Sequence, residues 1–279
     1  MTASKDKHNI LILGASGFIG HTIYKELCSY FNTYGTYNSP NNSFEKNAHF
    51  IEYNHQEDDI YDILDWVKPK IIISCLRGEF HTQIIAHQHL ATYIKENSSK
   101  LIYLSSANVF DAYSKYPSYE LDKTLSNSIY GHFKIKIENI LMRLPKTRVA
   151  ILRLPMVFGH TSHRILEIKE AIKEKQPIEV FPNLILNVTT DNKIAQQVHY
   201  IINRKKYGVF HLGSTDLVHH NEFIHQIVNI YSEGHIKYKQ VYTTNDDRYL
   251  AVLPKYNLLP KHLQNTSSEV LKELGNQAS

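Results

Sequence analysis

A glycine trio near the start constrains this chain more than any other feature. Ile10-Leu11-Ile12-Leu13 leads into Gly14-Ala15-Ser16-Gly17-Phe18-Ile19-Gly20, and a helical pattern follows through Ile23, Leu27 and Tyr30. An apolar strand, a tight turn and an amphipathic helix in that order are the context a dinucleotide-binding turn requires. Gly14 lets the chain turn sharply off the strand, Gly17 lets backbone approach a pyrophosphate, and Gly20 lets the helix pack close to the sheet. The first N–H groups of that helix and the positive end of its dipole then face the anion.

The rest of the chain alternates in the same way. Strand-like segments fall at Thr33 to Tyr37, Phe50 to Tyr53, Lys70 to Ser74, Leu101 to Ser105 and Val149 to Leu154. Runs such as Ile71-Ile72-Ile73 suit strands buried on both faces of a parallel sheet. Between them, Ile84, Ile85, Leu90, Tyr93 and Ile94 share a helical face, as do Tyr130, Phe133, Ile137, Leu141 and Leu144. The predicted fold is α/β, a Rossmann-type doubly wound parallel sheet with a smaller C-terminal substrate-binding lobe. Residues 1–155 with 186–213 are assigned to the dinucleotide-binding domain, and 156–185 with 214–279 to the lobe. A last helix is predicted with Ser267 or Ser268 as N-cap and Gly275 just past its end. Ligands of open parallel sheets bind at the carboxyl ends of the strands, so the loops after Ser74, Ser105 and Leu154 are where chemistry is expected.

Composition narrows the class of protein. With 279 residues, 42% of them hydrophobic, the chain can bury one large core or two modest ones. No apolar run approaches the roughly 18 residues of a membrane helix, and Met1 to His8 is polar, so a cytoplasmic location is expected. Cys28 and Cys75 make no disulfide framework, and the histidines lack metal-ligand spacing: His87 and His89 lie two apart, and His219 and His220 are adjacent. A net charge of +4 without a basic run argues against nucleic acid and favours, at most, a small polyanionic ligand.

Tyr130 and Lys134 lie four apart at the start of a predicted helix, so both side chains leave the same face. A tyrosine normally titrates near ~10, and a proton donor working near neutrality needs a neighbouring cation to stabilise its phenolate. Leu101-Ile102-Tyr103-Leu104 delivers Ser105-Ser106-Ala107-Asn108-Val109-Phe110 to the carboxyl edge, placing a hydroxyl near the reactive end of a bound dinucleotide.

The glycine turn, the Ser106 strand end and the Tyr130/Lys134 pair, in this order and spacing, resemble the extended short-chain dehydrogenase/reductase family. Leu152-Arg153-Leu154-Pro155-Met156-Val157-Phe158-Gly159 is similar to its strand-six signature. Asn187 to Ala195 and Gly208-Val209-Phe210-His211-Leu212 resemble its dTDP-4-dehydrorhamnose reductase branch. The resemblance implies a reduction of a keto sugar, nucleotide-linked, in which Ser106 orients the carbonyl and Tyr130 donates the proton. Lys134 would hold the nicotinamide ribose. It implies Gly14, Ser16, Gly17, Phe18 and Ile19 around the pyrophosphate. Tyr37, Asn38 and Ser39 would lie at the adenosine ribose, with Cys75 and Leu76 lining that side. Ser105, Tyr130, Lys134, Pro155 and Met156 complete the implied cofactor set. Strand two ends Gly35-Thr36-Tyr37-Asn38-Ser39 without the carboxylate that holds a ribose 2′-OH, which favours NADP and leaves NAD open.

The chain departs from the rhamnose-pathway pattern in several places. Ala107 stands where those reductases carry an acidic residue, and Leu154-Pro155-Met156 replaces a Thr-Ser-Trp stretch. Ser74-Cys75-Leu76-Arg77-Gly78 replaces the usual small-residue turn. Arg77, Ala107, Asn108, His160 and Arg164 are the candidate substrate contacts; Arg77 would meet a ligand anion or pair with Glu79. Without an acidic pair after Ser106, dehydration is disfavoured. Sugar-nucleotide epimerisation stays open, as does a non-catalytic NADP-binding role like that of the methionine adenosyltransferase beta subunit. A homodimer through sheet-flanking helices is the family-level expectation, with no metal, nucleic acid or membrane partner.

Overall fold

A computed structural model describes residues 8–39, 42–113 and 115–278. The polar stretch before His8 lies outside them. In chain order the elements are β1 (Asn9–Leu13), α1 (Phe18–Leu27), β2 (Asn32–Tyr37), α2 (Asn42–Glu45), β3 (Phe50–Glu52), α3 (Ile60–Val67), β4 (Ile71–Ser74), α4 (Phe80–Glu96) and β5 (Lys100–Ser106). A 3₁₀ turn over Ala107–Phe110 precedes α5 (Ile129–Leu141), β6 (Val149–Leu154), β7 (Met156–Phe158), α6 (His163–Lys173), β8 (Ile178–Val180), β9 (Leu184–Leu186) and β10 (Val188–Thr190). The chain closes with α7 (Asp191–Asn203), β11 (Gly208–His211), β12 (Val218–His219), α8 (His220–Tyr231), β13 (Tyr238–Gln240), β14 (Arg248–Leu250) and α9 (Ser267–Ala278).

The strands expected from apolar runs form one seven-stranded sheet ordered β11-β6-β5-β4-β1-β2-β3. β1 pairs in parallel with both β2 and β4, with Leu13 opposite Ser74, so the strand order reverses beside the glycine turn. That reversal is the topological switch point at which doubly wound sheets bind ligands. Helix termini follow local chemistry: the Asp59 side chain caps α3 at Tyr61 N–H, and Glu79 caps α4 at Thr82 N–H, 2.6 Å away. Glu79 is therefore engaged as a helix cap.

The chain forms two compact units. One contains residues 1–105, 132–152 and 195–209; the other contains 106–131, 153–194 and 210–279. The segment 106–131 thus groups with the C-terminal unit, whereas the sequence division put it with the sheet. The first unit packs Leu11, Leu13, Leu64, Ile72, Leu101 and Ile137 into a buried core. The second has its own core of Phe158, Ile165, Val188, Phe223, Ile227 and Leu274.

A buried polar strut organises the second unit. The Glu120 carboxylate accepts the backbone N–H groups of Lys255, Tyr256 and Asn257 at 3.1 to 3.3 Å, and the fully buried Arg153 guanidinium donates to the Glu120 carbonyl at 3.1 Å. Three charge-assisted bonds to backbone tie the 255–257 segment down and satisfy a carboxylate that would otherwise be costly to bury. The last helix differs from its expected ends. Thr266, not Ser267 or Ser268, caps it: Thr266 Oγ1 accepts Glu269 N–H at 3.3 Å while Glu269 Oε2 accepts Thr266 N–H at 2.8 Å. That reciprocal capping box starts the helix one residue early. At the other end it runs through Gly275, whose Cβ position meets no atom within 4 Å, so nothing at that point stops the helix.

Candidate active site

The glycine turn has the geometry its sequence implies. Gly14 has φ +76°, in the left-handed region that side chains avoid, and a Cβ there would lie 2.8 Å from the Cys75 carbonyl oxygen. Its N–H donates to Thr36 Oγ1 at 2.8 Å, and Gly17 N–H donates to the Gly14 carbonyl at 3.1 Å. Gly17 occupies the N-cap of α1 in extended conformation, with no side chain capping the helix. The first-turn N–H groups are therefore not taken by a capping side chain, and Ser16 is exposed beside them with Gly17, Phe18 and Ile19 half-buried. A turn in which added Cβ atoms would fill the space, under an uncapped helix start, fits a pyrophosphate.

At the end of β2, Tyr37 is buried and stacks on Phe44, while Asn38 and Ser39 are exposed. At the end of β4, Cys75 and Leu76 are half-buried and Arg77 is exposed. Burial pushes the Cys75 thiol up to about 12, so it is protonated near neutrality.

Lys134 is buried on α5, and its Nζ donates to the Leu104 carbonyl at 3.0 Å. It also lies 4.9 Å from the centre of the Tyr103 ring. Burial pulls its ammonium down to about 8, opposed by the Cys75 sulfur and the Glu138 carboxylate and assisted by the Arg77 guanidinium. Glu138, one turn further along α5, is buried and accepts the Ser105 hydroxyl at 2.5 Å. Beneath them, fully buried His87 is held between Ser74 Oγ at 2.9 Å and the Gln83 carbonyl at 2.6 Å. Burial keeps its imidazole neutral down to about pH 4.

In the second unit, Ser106 caps the 3₁₀ turn: its Oγ accepts Asn108 N–H at 3.2 Å and donates to Asn108 Oδ1 at 2.9 Å. Asn108 is half-buried, but the Ala107 side chain is buried, packed inward as an apolar residue. Tyr130 is exposed on the first turn of α5. Its placement depends on a clamp that sequence reading missed. The buried Asp111 carboxylate accepts the hydroxyls of Ser126 and Ser128 and, at 2.6 Å, Asn127 N–H; Ser128 Oγ in turn accepts Gly131 N–H at 3.0 Å. A Cβ on Gly131 would stand 2.3 Å from the Asn108 carbonyl, so the helix start is pressed directly on the turn that follows Ser106. Only Gly131 itself hinted at this contact. Pro155 is buried and Met156 half-buried; His160 is half-buried with Nε2 3.3 Å from Lys169 Nζ, and Arg164 is exposed on α6.

The family model for the RmlD substrate binding domain matches residues 8–259. The chain belongs to that family. A curated relative, a dTDP-4-dehydrorhamnose reductase from Aggregatibacter actinomycetemcomitans, is 23% identical over 235 residues, covering 77% of this chain and 76% of its own. The solved dTDP-4-dehydrorhamnose reductase from Bacillus anthracis, in complex with NADP, superposes with TM-score 0.78 at 18% identity, covering 97% of this chain and 98% of that one. A dTDP-glucose 4,6-dehydratase from the same organism, in complex with NAD, gives TM-score 0.79 at 18% identity over 96% of each chain. The extended short-chain dehydrogenase/reductase resemblance read from the motifs is borne out, as is the Rossmann-type α/β sheet.

Proposed function

We propose that this RmlD-family protein is an NADPH-dependent reductase of a nucleotide-linked keto sugar, with Ser106, Tyr130 and Lys134 as its reacting groups. The observation that carries the reading is α5, which bears an exposed phenol at Tyr130 and a buried ammonium at Lys134 one turn apart. A phenol with a cation one turn below it gives up its proton more readily than a free tyrosine. Gly14, Ser16, Gly17, Phe18 and Ile19 would hold the cofactor pyrophosphate, with Tyr37, Asn38, Ser39, Cys75, Leu76, Ser105, Pro155 and Met156 along the remainder. When bound, the dihydronicotinamide supplies hydride to the carbonyl carbon. Tyr130 O–H protonates the oxygen on which negative charge develops, and Lys134 stabilises the phenolate left behind. Ser106 Oγ–H donates to the same oxygen, strengthening as its charge grows.

Ala107, buried and apolar, and Asn108, neutral, offer no carboxylate after Ser106 for removing water, which supports reduction over the elimination named for the dehydratase neighbour. Arg77, Asn108, His160 and Arg164 belong to the substrate side of this reading. It also places the protein in the cytoplasm, where NADPH is kept reduced, as a homodimer.

The test is titration with NADPH and NADH by fluorescence, then NADPH absorbance against a panel of nucleotide-linked 4-keto sugars. NADPH is expected to bind more tightly than NADH and to be consumed with a panel member. Binding without consumption across the panel overturns the reductase reading in favour of a regulatory subunit.

A further inference from the structure

Groups from β4, α4, β5 and α5 face Lys134, and near pH 8 they are not equal. Cys75 follows β4 and its sulfur also favours the ammonium, but burial holds the thiol protonated to about 12, so near pH 8 it carries no full charge. His87 from α4 is neutral as well, and Tyr103 from β5 presents its ring face. Arg77 is a like charge. Glu138, on the same face of α5 one turn on, brings a carboxylate that favours the ammonium, and it is buried and anchored by the Ser105 hydroxyl at 2.5 Å. A buried carboxylate is costly unless it is hydrogen-bonded and faces a cation. Ser105 meets the first condition and Lys134 the second.

We propose that Glu138 is a positioning residue for the reaction: locked by Ser105, its carboxylate is the counter-charge that keeps Lys134 an ammonium and holds it beside the Leu104 carbonyl. This rests on the reductase reading for its consequence in turnover. The charge relation itself is a property of the cofactor-free protein.

The experiment follows the Lys134 side chain by NMR in protein carrying ¹³C-labelled lysine, its signal assigned with Lys134→Arg, and records its titration with and without Glu138→Gln. The glutamine keeps the shape and a bond to Ser105 but removes the charge. The Lys134 midpoint is expected to fall from about 8 by about one to three units, the effect of removing one close opposite charge. Ser105→Ala, which leaves the carboxylate but frees it, should give a smaller fall, and Glu138→Asp should restore most of the loss. With an active preparation, the basic limb of kcat/KM should move with the midpoint. A purely structural role predicts lower thermal stability and an unmoved midpoint, and that result overturns the proposal whether or not the protein turns over a sugar. If Glu138→Gln does not fold, the Ser105→Ala midpoint decides: a fall supports the counter-charge role, an unchanged value removes it. A shifted midpoint in a protein that reduces no keto sugar supports the Glu138–Lys134 coupling while overturning the reductase reading.

Discussion

Tyr130→Phe is expected to lower kcat for keto-sugar reduction by about 10²- to 10⁴-fold, the range for removing a general acid, with NADPH affinity nearly unchanged. The phenol oxygen is the only atom lost, and the ring stays on an exposed position of α5, so folding should be unaffected. A large loss in kcat without a matching change in cofactor Kd marks an interaction made in the transition state. The Asp111 clamp sharpens the expectation, because it fixes the first turn of α5 against the segment after Ser106 and leaves the phenylalanine little freedom to move. Near-normal kcat in this variant would take Tyr130 out of the mechanism.

Gly20→Ala should cost both cofactor affinity and stability. An alanine Cβ there would stand 2.3 Å from the Gly14 carbonyl oxygen and 3.1 Å from Ala15 Cα, both backbone atoms. Helix propensity runs the other way, since alanine is favoured over glycine by about 1 kcal/mol in a helix interior. The clash wins because the turn is held: Gly14 N–H donates to Thr36 Oγ1 at 2.8 Å and its carbonyl accepts Gly17 N–H at 3.1 Å. The start of α1 must shift away from the turn, spoiling the anion cradle. NADPH affinity is expected to fall at least about tenfold, or 1.4 kcal/mol, measured by fluorescence titration, with a lower melting temperature. A higher melting temperature and unchanged affinity would show that propensity decided the outcome.

How much of this was legible beforehand follows from the range of each interaction. Buried parallel strands read as continuous apolar runs, so β1, β4, β5 and β6 stood out, and the glycine turn carries its own backbone requirement within seven residues. Tyr130 and Lys134 were legible because i and i+4 share a helix face; Glu138 repeats that spacing, but its bond to Ser105, 33 positions back, leaves no local trace and it was passed over. The Glu120 strut was not legible, because its carboxylate binds backbone N–H groups 135 to 137 positions away and such bonds leave no periodic trace. The same holds for Asp111, whose partners lie 15 to 17 positions on in an irregular segment. These two ties also help explain why 106–131 groups with the C-terminal unit: Asp111 holds its own turn together, and Glu120 binds it to 255–257. At α9, Thr266 and Glu269 had the capping-box spacing, and the serines that follow masked it.

Deuteride transfer tests the reduction itself. The protein is incubated with a nucleotide-linked 4-keto sugar and NADPH carrying deuterium at nicotinamide C4, and the product sugar is analysed by NMR. Deuterium is expected on the former carbonyl carbon, delivered from one face of the nicotinamide, and is expected to be lost in Tyr130→Phe. A product with hydrogen redistributed from solvent, or an unreacted sugar beside tightly bound NADPH, would contradict the reductase reading.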